Sequence, residues 1–188
     1  MNFNPEQIFP VFQLDSAVIN YNRHGSGHIN QTYALTCESG KRYILQRINH
    51  HVFRNVEGLM ANMVAVTEYL NSHTDDPRTV LRVIPTVDGK SYYQHTDGNY
   101  WRVCDFVDGS ICLDAPETPE DFYQSALAFG RFQEMLADFP AHTLYETVPN
   151  FHNTPDRYDQ LKESIAQDLC GRVAEAKPEI DFLLARER

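Results

Sequence analysis

The chain has 188 residues, which suffices for one ordinary domain or for one domain and part of another. Hydrophobic residues make up 42% of it and aromatic residues 12%, so a largely disordered chain is excluded. The net charge of −10 and the lack of a lysine or arginine cluster argue against nucleic acid or an anionic membrane as the main partner.

The lack of a recognisable targeting signal and the spacing of the cysteines both favour a cytoplasmic protein. No stretch approaches the roughly 18 consecutive apolar residues of a membrane-spanning helix. The first ten residues lack the basic and apolar regions of a secretory signal. No C-x-x-C pair occurs, so free thiols in a reducing compartment are expected. The four cysteines are Cys37, Cys104, Cys112 and Cys170.

The first part of the chain predicts an antiparallel sheet. Residues 4–14 predict a short helix or a helical turn limited by Pro10, and residues 17–23 alternate as a strand does. Residues 31–37 and 42–48 are rich in Tyr, Thr, Ile and Leu, with the turn signal ESGK between them. Connections this short leave no room for a crossover, so the three strands are expected to be antiparallel.

Over residues 55–73 the spacing of apolar residues changes to that of a helix, with Asn55 as a plausible N-cap. Its apolar face contains Val56, Leu59, Met60, Met63, Val66 and Leu70. Strand character returns over residues 79–107, where Asp97-Gly98 predicts a hairpin turn. The sheet is thus expected to carry one long helix inserted after its third strand.

Helices are predicted from Thr118 to the end of the chain. Thr118 and Pro119 suit the N-cap and first helical positions, and a second helix begins in the same way near Thr154. The last helical segment, residues 177–188, stops without a cap or a glycine. The chain is therefore expected to be a fragment of a longer protein; the alternative is a gene product that has lost its second half. Its helical face, left without a partner, could then cause self-association.

Three stretches carry a resemblance to a known family: "GSGHINQTY", "YILQRINHHVFRN" and "VPNFHNTPDRY". They resemble the N-terminal half of the N-acetylhexosamine 1-kinases, in the aminoglycoside phosphotransferase-like superfamily. The resemblance implies an α+β, protein-kinase-like fold. Residues 1–107 would form the nucleotide-binding small lobe, an antiparallel sheet plus one long helix. Residues 108–188 would form the linker and the first helices of an incomplete helical large lobe.

The resemblance also implies a reaction. Members of that family transfer the γ-phosphate of ATP, with Mg²⁺, to a small molecule. For the hexosamine kinases the acceptor is the anomeric hydroxyl of an N-acetylated sugar. The expected cofactors are therefore ATP and Mg²⁺, and the expected partners are a nucleotide and a small-molecule acceptor. The metal ligands are expected in a C-terminal part that this chain lacks.

The glycine loop is the first candidate site. A loop that lies close to phosphates needs residues without Cβ, and Gly25 and Gly27 meet that need. Ser26 and the backbone N–H groups could donate to phosphate oxygens, while His28 and Asn30 offer polar side chains near the acceptor. The alternative is a plain hairpin bend.

Five further residues are expected at the nucleotide because of the resemblance. Arg47, on the third strand, would hold the α- and β-phosphates; alternatively it is a solvent-facing strand residue. Ile44 would contact the adenine and Cys104 would stand behind it. The Asp105 carbonyl and the Val107 N–H would bond its edge. The glutamate that usually pairs with the cation is replaced by Asn62 and Met63, so no pair is assigned.

No catalytic or metal-binding residue is assigned. Catalysis in the superfamily needs H-x-D-x-x-x-x-N, but the HTD triplets at His73 and His95 are followed by Val80 and Arg102 instead of Asn. Asp181, in an I-D-F triplet, is expected to be a helix-surface acid. The chain alone is expected to be inactive, although the parent protein would be an ATP-dependent sugar phosphotransferase.

Three alternatives stay open. The chain could be a non-catalytic kinase-like module that binds nucleotide or a partner protein. It could bind a metal through His50, His51, His73 and His95, whose spacing matches no ligand pattern. In "NFHNTPDRY", His152, Asn153 and Arg157 could face the sugar; the favoured alternative is that Thr154 caps a helix and Arg157 lies on its surface.

Overall fold

The structure, a computed structural model, describes residues 5–186 except 75, 77, 112 and 114. Cys112 and Asp75 of the first HTD triplet therefore lie outside the described residues. The chain divides into two compact units, with the boundary between Thr147 and Val148. The predicted boundary after residue 107 separates the nucleotide-binding lobe from the linker and the large lobe. This division into compact units does not test that boundary, which stays a prediction.

The first unit is an antiparallel sheet with two helices. Two short 3₁₀ turns, Pro5–Gln7 and Phe9–Val11, precede the sheet. The later elements are β1 (Val18–Arg23), β2 (Gln31–Cys37), β3 (Arg42–Ile48), α1 (Val56–Asn71), β4 (Val83–Ile84), β5 (Tyr93–Gln94), β6 (Tyr100–Asp105) and α2 (Pro119–Met135). The strand order is β1-β2-β3-β6-β4, and β5 also pairs with β6. This confirms the predicted α+β fold.

Strand alternation divides the sheet residues between two faces. Along β3, Tyr43 and Leu45 point to one face, and Ile44, Gln46 and Ile48 to the other. The first face packs against the N-terminal turns in a core formed by Ile8, Phe9, Phe12, Leu35, Cys37, Tyr43, Leu45, Ile84, Trp101 and Val103. The second face packs against α1 through Ile48, Val56 and Met60. The sheet is therefore covered on both sides.

Side-chain caps position the helices that flank the site. The Asn55 side chain accepts a hydrogen bond of 2.8 Å from the Gly58 N–H, as the predicted N-cap should. Thr118 and Asp121 form a capping box at α2, with Pro119 as the first helical residue. Gly98, in the turn between β5 and β6, has φ +85°, which confirms the predicted hairpin.

The second unit contains two helices, α3 (Thr154–Gln167) and α4 (Lys177–Leu184). Asn153 caps α3 by accepting from the Asp156 N–H, so the expectation that Thr154 caps this helix is wrong. Thr154 is the first helical residue and Pro155 follows it. Asp181 pairs with Lys177 at 2.8 Å on the exposed surface of α4, as expected for a helix-surface acid.

No helix in the described part of the chain is both long enough and apolar enough to cross a membrane.

Candidate nucleotide site

The glycine loop, residues 24–30, connects β1 to β2 and contacts the linker that follows β6, residues 106–109. Its base is closed by the His24 N–H, which donates to the Thr32 carbonyl at 2.9 Å. The His24 ring contacts the ring of Phe106 with 5.5 Å between their centroids. The glycine loop and the linker, the two segments expected to enclose a nucleotide, are therefore in contact.

Only one of the two loop glycines has a backbone conformation that favours glycine. Gly25 has φ +72°, a conformation that a Cβ disfavours, whereas Gly27 has no such angle. A Cβ added to either residue would meet no atom within 4 Å. The space beside the loop is therefore open, so a group could approach its backbone closely.

Four predicted residues meet at the C-terminal end of this loop. Gly27, His28, Asn30 and Arg47 line one cavity of about 310 Å³, which Arg23 also lines. The Asn30 side chain accepts a 2.9 Å hydrogen bond from the Asn49 N–H and so ties the loop to the end of β3. Asn30 is thus a structural link as well as a lining residue. The cavity combines the end of the glycine loop with two guanidinium groups.

Arg47 and Ile44 lie on opposite faces of the sheet. Ile44 pairs with Cys104 in the register and lies on the face that α1 covers. Arg47 pairs with Trp101, whose side chain belongs to the core on the other face. The expected nucleotide residues therefore form two groups. One surrounds the end of the glycine loop, and the other lies on the α1 face and the linker.

The end of β6 and the linker after it present a mixture of buried and accessible groups. Cys104 is buried, and that burial raises the pKa of its thiol to about 11. The Asp105 carboxylate pairs with Arg82 at 2.7 Å and with Lys41 at 3.5 Å. Among the described residues no acceptor bonds the Val107 N–H, which leaves this donor available to a ligand. Its carbonyl accepts from the Ser110 hydroxyl at 2.7 Å.

Two polar residues on the α1 face were not among the candidates predicted from the sequence. Gln46 and Arg102 are directly opposite each other on β3 and β6. The guanidinium of Arg102 donates twice to the Gln46 Oε1, from Nε at 3.0 Å and from Nη2 at 2.9 Å. Gln46 Nε2 in turn donates to the Thr32 hydroxyl at 3.0 Å. The signal available in the sequence was strand alternation, since Gln46 is two residues after Ile44.

The α1 residues in the place of the usual glutamate have other roles. Asn62 makes two hydrogen bonds of 2.8 Å with Tyr145, donating to its carbonyl and accepting from its N–H. The Met63 sulfur lies 3.1 Å from Arg102 Nη1. In the described residues no three His, Cys, Asp or Glu side chains are grouped closely enough to hold a metal ion.

Comparison with known families agrees with this architecture. Residues 20–188 match the family described as APH, the phosphotransferase enzyme family. The chain belongs to this family. Its fold is accordingly the kinase-like phosphotransferase fold, with the six-stranded sheet in the place of the small lobe.

Solved structures show the same fold at low identity. An aminoglycoside phosphotransferase from Alicyclobacillus acidocaldarius matches with a TM-score of 0.58 and 18% identity, over 88% of this chain and 44% of that one. The amicoumacin kinase hAmiN, solved in complex with AMP-PNP, Ca²⁺ and Ami, matches with a TM-score of 0.55 and 16% identity, over 97% of this chain and 53% of that one. This chain therefore spans about half the length of these relatives.

Proposed function

We propose that this chain is the ATP-binding portion of a small-molecule kinase. The observation that carries the proposal is the contact between the glycine loop and the linker through His24 and Phe106. Both segments offer donors to a nucleotide: the loop has an open backbone, and the linker has the available Val107 N–H. A related phosphotransferase fold has been solved with AMP-PNP and Ca²⁺ bound, which agrees with use of a nucleotide and a divalent metal.

In this proposal the adenine lies on the α1 face and the phosphates lie under the glycine loop. Ile44 contacts the base, Cys104 stands behind it, and the Asp105 carbonyl and Val107 N–H bond its edge. Gly25, Ser26 and Gly27 lie along the phosphate chain, with His28 and Asn30 near the acceptor. Arg47, in the cavity at the end of the loop, holds a phosphate from the opposite side. Mg²⁺ would neutralise the remaining phosphate charge.

The acceptor that we propose is the anomeric hydroxyl of an N-acetylhexosamine. Its support is the sequence of the stretches at residues 25–33, 43–55 and 148–158, because a fold shared at low identity does not fix the substrate. The sequence printed here contains no H-x-D-x-x-x-x-N motif. We therefore place the catalytic loop and the metal ligands outside this chain and expect the chain alone to have no turnover.

The test is the thermal unfolding midpoint of the chain with and without millimolar Mg·ATP. A ligand that binds only the folded state stabilises it by about 2.7 kcal/mol at a hundredfold excess over its dissociation constant. We expect a rise in the midpoint that is smaller in Arg47→Ala and unchanged in Arg54→Ala, an exposed arginine between β3 and α1. The absence of any rise with ATP, ADP or adenosine would contradict nucleotide binding. A midpoint that rises without phosphotransfer in the full-length protein would favour a non-catalytic module.

A further inference from the structure

A guanidinium group lies inside the α1 face of the sheet without a carboxylate partner. Among the residues that the structure describes, no Asp or Glu oxygen is within 4.0 Å of the Arg102 nitrogens. Arg102 is half-buried, and this partial burial lowers the pKa of its guanidinium. Even partial removal of a cation from water is unfavourable unless an anion or several acceptors compensate it. The arrangement therefore leaves a positive charge available.

The hydrogen bonds of Arg102 occupy only one side of its guanidinium. Nε and Nη2 donate to Gln46 Oε1. Nη1 contacts only thioether sulfurs, Met63 at 3.1 Å and Met60 at 3.8 Å, and sulfur is a weak acceptor. Most of the donor capacity of Nη1 is thus unmatched.

The position of Arg102 is held by a row of polar side chains across three strands. Thr32 on β2, Gln46 on β3 and Arg102 on β6 are linked by hydrogen bonds of 2.9 to 3.0 Å. Because Gln46 is neutral, it orients the guanidinium without cancelling its charge. The row lies on the same face as Ile44 and Cys104. A guanidinium whose orientation is fixed in this way is suited to binding an anionic ligand.

The guanidinium is also reachable. Arg102 lines a cavity of about 700 Å³ beside α1, which Leu59, Met63 and Val80 line from the apolar side. This volume lies within the range of sites for small ligands. Apart from Arg102, the charged lining group is Arg131 of α2.

From these contacts we infer that Arg102, oriented by Gln46, is a phosphate anchor for the bound nucleotide. The inference rests on the proposed function and extends it. On the face of the sheet where the adenine lies, the cation that binds phosphate is Arg102 of β6. Arg47 of β3 acts at the glycine loop instead. Guanidinium groups bind phosphate oxygens through two parallel hydrogen bonds, so a phosphate would satisfy Nη1 and Nη2 together.

The test compares ADP with adenosine by isothermal titration calorimetry of the whole chain in EDTA, where no metal contributes. Gln46→Glu is the decisive variant, because it is isosteric and places a carboxylate on the guanidinium. We expect its affinity for ADP to fall on the order of tenfold, with adenosine binding unchanged. Arg102→Gln should show the same selective loss. Gln7→Glu and Arg54→Gln, both at exposed positions, are the matched controls.

The outcomes separate the two proposals. If the wild-type chain binds ADP and adenosine with equal affinity, or if Gln46→Glu binds ADP as tightly as the wild type does, Arg102 is not a phosphate anchor and nucleotide binding still stands. If the wild type binds neither ligand, the proposed function fails and this inference fails with it. If Arg102→Gln does not fold, Gln46→Glu still decides the question, since the Thr32 hydroxyl can donate to the new carboxylate.

Discussion

At the scale of single residues, the first turn of α1 shows how one side chain can reverse an ordinary preference. Gly58 is the third residue of the helix, where alanine would normally be favoured by up to about 1 kcal/mol. However, a Cβ at Gly58 would lie 2.5 Å from Asn55 Nδ2 and 2.9 Å from its Cγ. The same Asn55 side chain caps the helix through the Gly58 N–H. The missing Cβ therefore makes room for the cap.

We predict that the effect of Gly58→Ala depends on residue 55. In the wild-type chain the substitution displaces the cap, which is worth about 1 kcal/mol, so the free energy of unfolding should not rise. In an Asn55→Ala background, where no cap remains to be displaced, the same substitution should stabilise by up to about 1 kcal/mol. Urea unfolding of the four variants measures the coupling. Equal effects in both backgrounds would contradict the explanation.

At the scale of elements, the hairpin of β5 and β6 is held by a carboxylate in its turn. Although burial raises the pKa of Asp97, bonds from the Asn99 backbone N–H and side-chain amide, and from His95, lower it to about 2. The two Asn99 bonds are 2.9 and 2.8 Å long. The second strand of this hairpin, β6, carries Arg102.

We predict an acid-dependent loss of hairpin stability. A carboxyl group whose pKa is depressed in the folded state stabilises it above the ordinary pKa of about 3.9, and this contribution disappears as the pH falls toward 2. The difference in free energy of unfolding between the wild type and Asp97→Asn should therefore shrink between pH 4 and pH 2. Urea denaturation at a series of pH values measures it. Glu38→Gln, in the exposed turn between β2 and β3, is the control.

For that control, we expect the difference from the wild type to change little over the same interval. A difference for Asp97→Asn that stays constant from pH 4 to pH 2 would show that the turn does not depend on the charge of Asp97.

At the scale of the whole molecule, α2 carries aromatic side chains that nothing in the described residues covers. Phe122 is 65% exposed and Phe129 is 67% exposed. They belong to the stripe that the sequence predicted as the apolar face of this helix. Exposed apolar groups of this size are typical of surfaces that bind another protein surface. We propose that a second copy of the chain covers them when no other partner is present.

The prediction is a concentration-dependent association that the α2 face controls. Sedimentation velocity should show the wild-type chain associating as its concentration rises, and the Phe122→Ser/Phe129→Ser variant remaining monomeric, because the apolar area that would be buried is removed. Val87→Ser is the matched control, since Val87 is equally exposed, at 67%, in the turn between β4 and β5. A monomeric wild type, or association that Val87→Ser weakens as much, would contradict the proposal.

Local patterns alone determined much of this protein. The strands at 31–37 and 42–48, the Asn55 and Thr118 caps and the hairpin at Asp97-Gly98 were all predicted and confirmed. Each depends on residues that are close in sequence, since a cap or a turn is formed within about four residues. The glycine loop could be located for the same reason. The cap of α3 was misplaced by one residue because Asn153 and Thr154 are both suitable caps.

The tertiary structure alone decided which residues meet at the site. Gln46 and Arg102 are 56 residues apart, and only the β3–β6 register places them opposite each other. The same register places Arg47 beside Trp101, on the face away from Ile44. A one-residue shift in register would exchange the two faces of a strand, and the packing of α1 and of the N-terminal turns selects between them. A partner this distant in sequence is fixed by packing, which a local pattern does not encode.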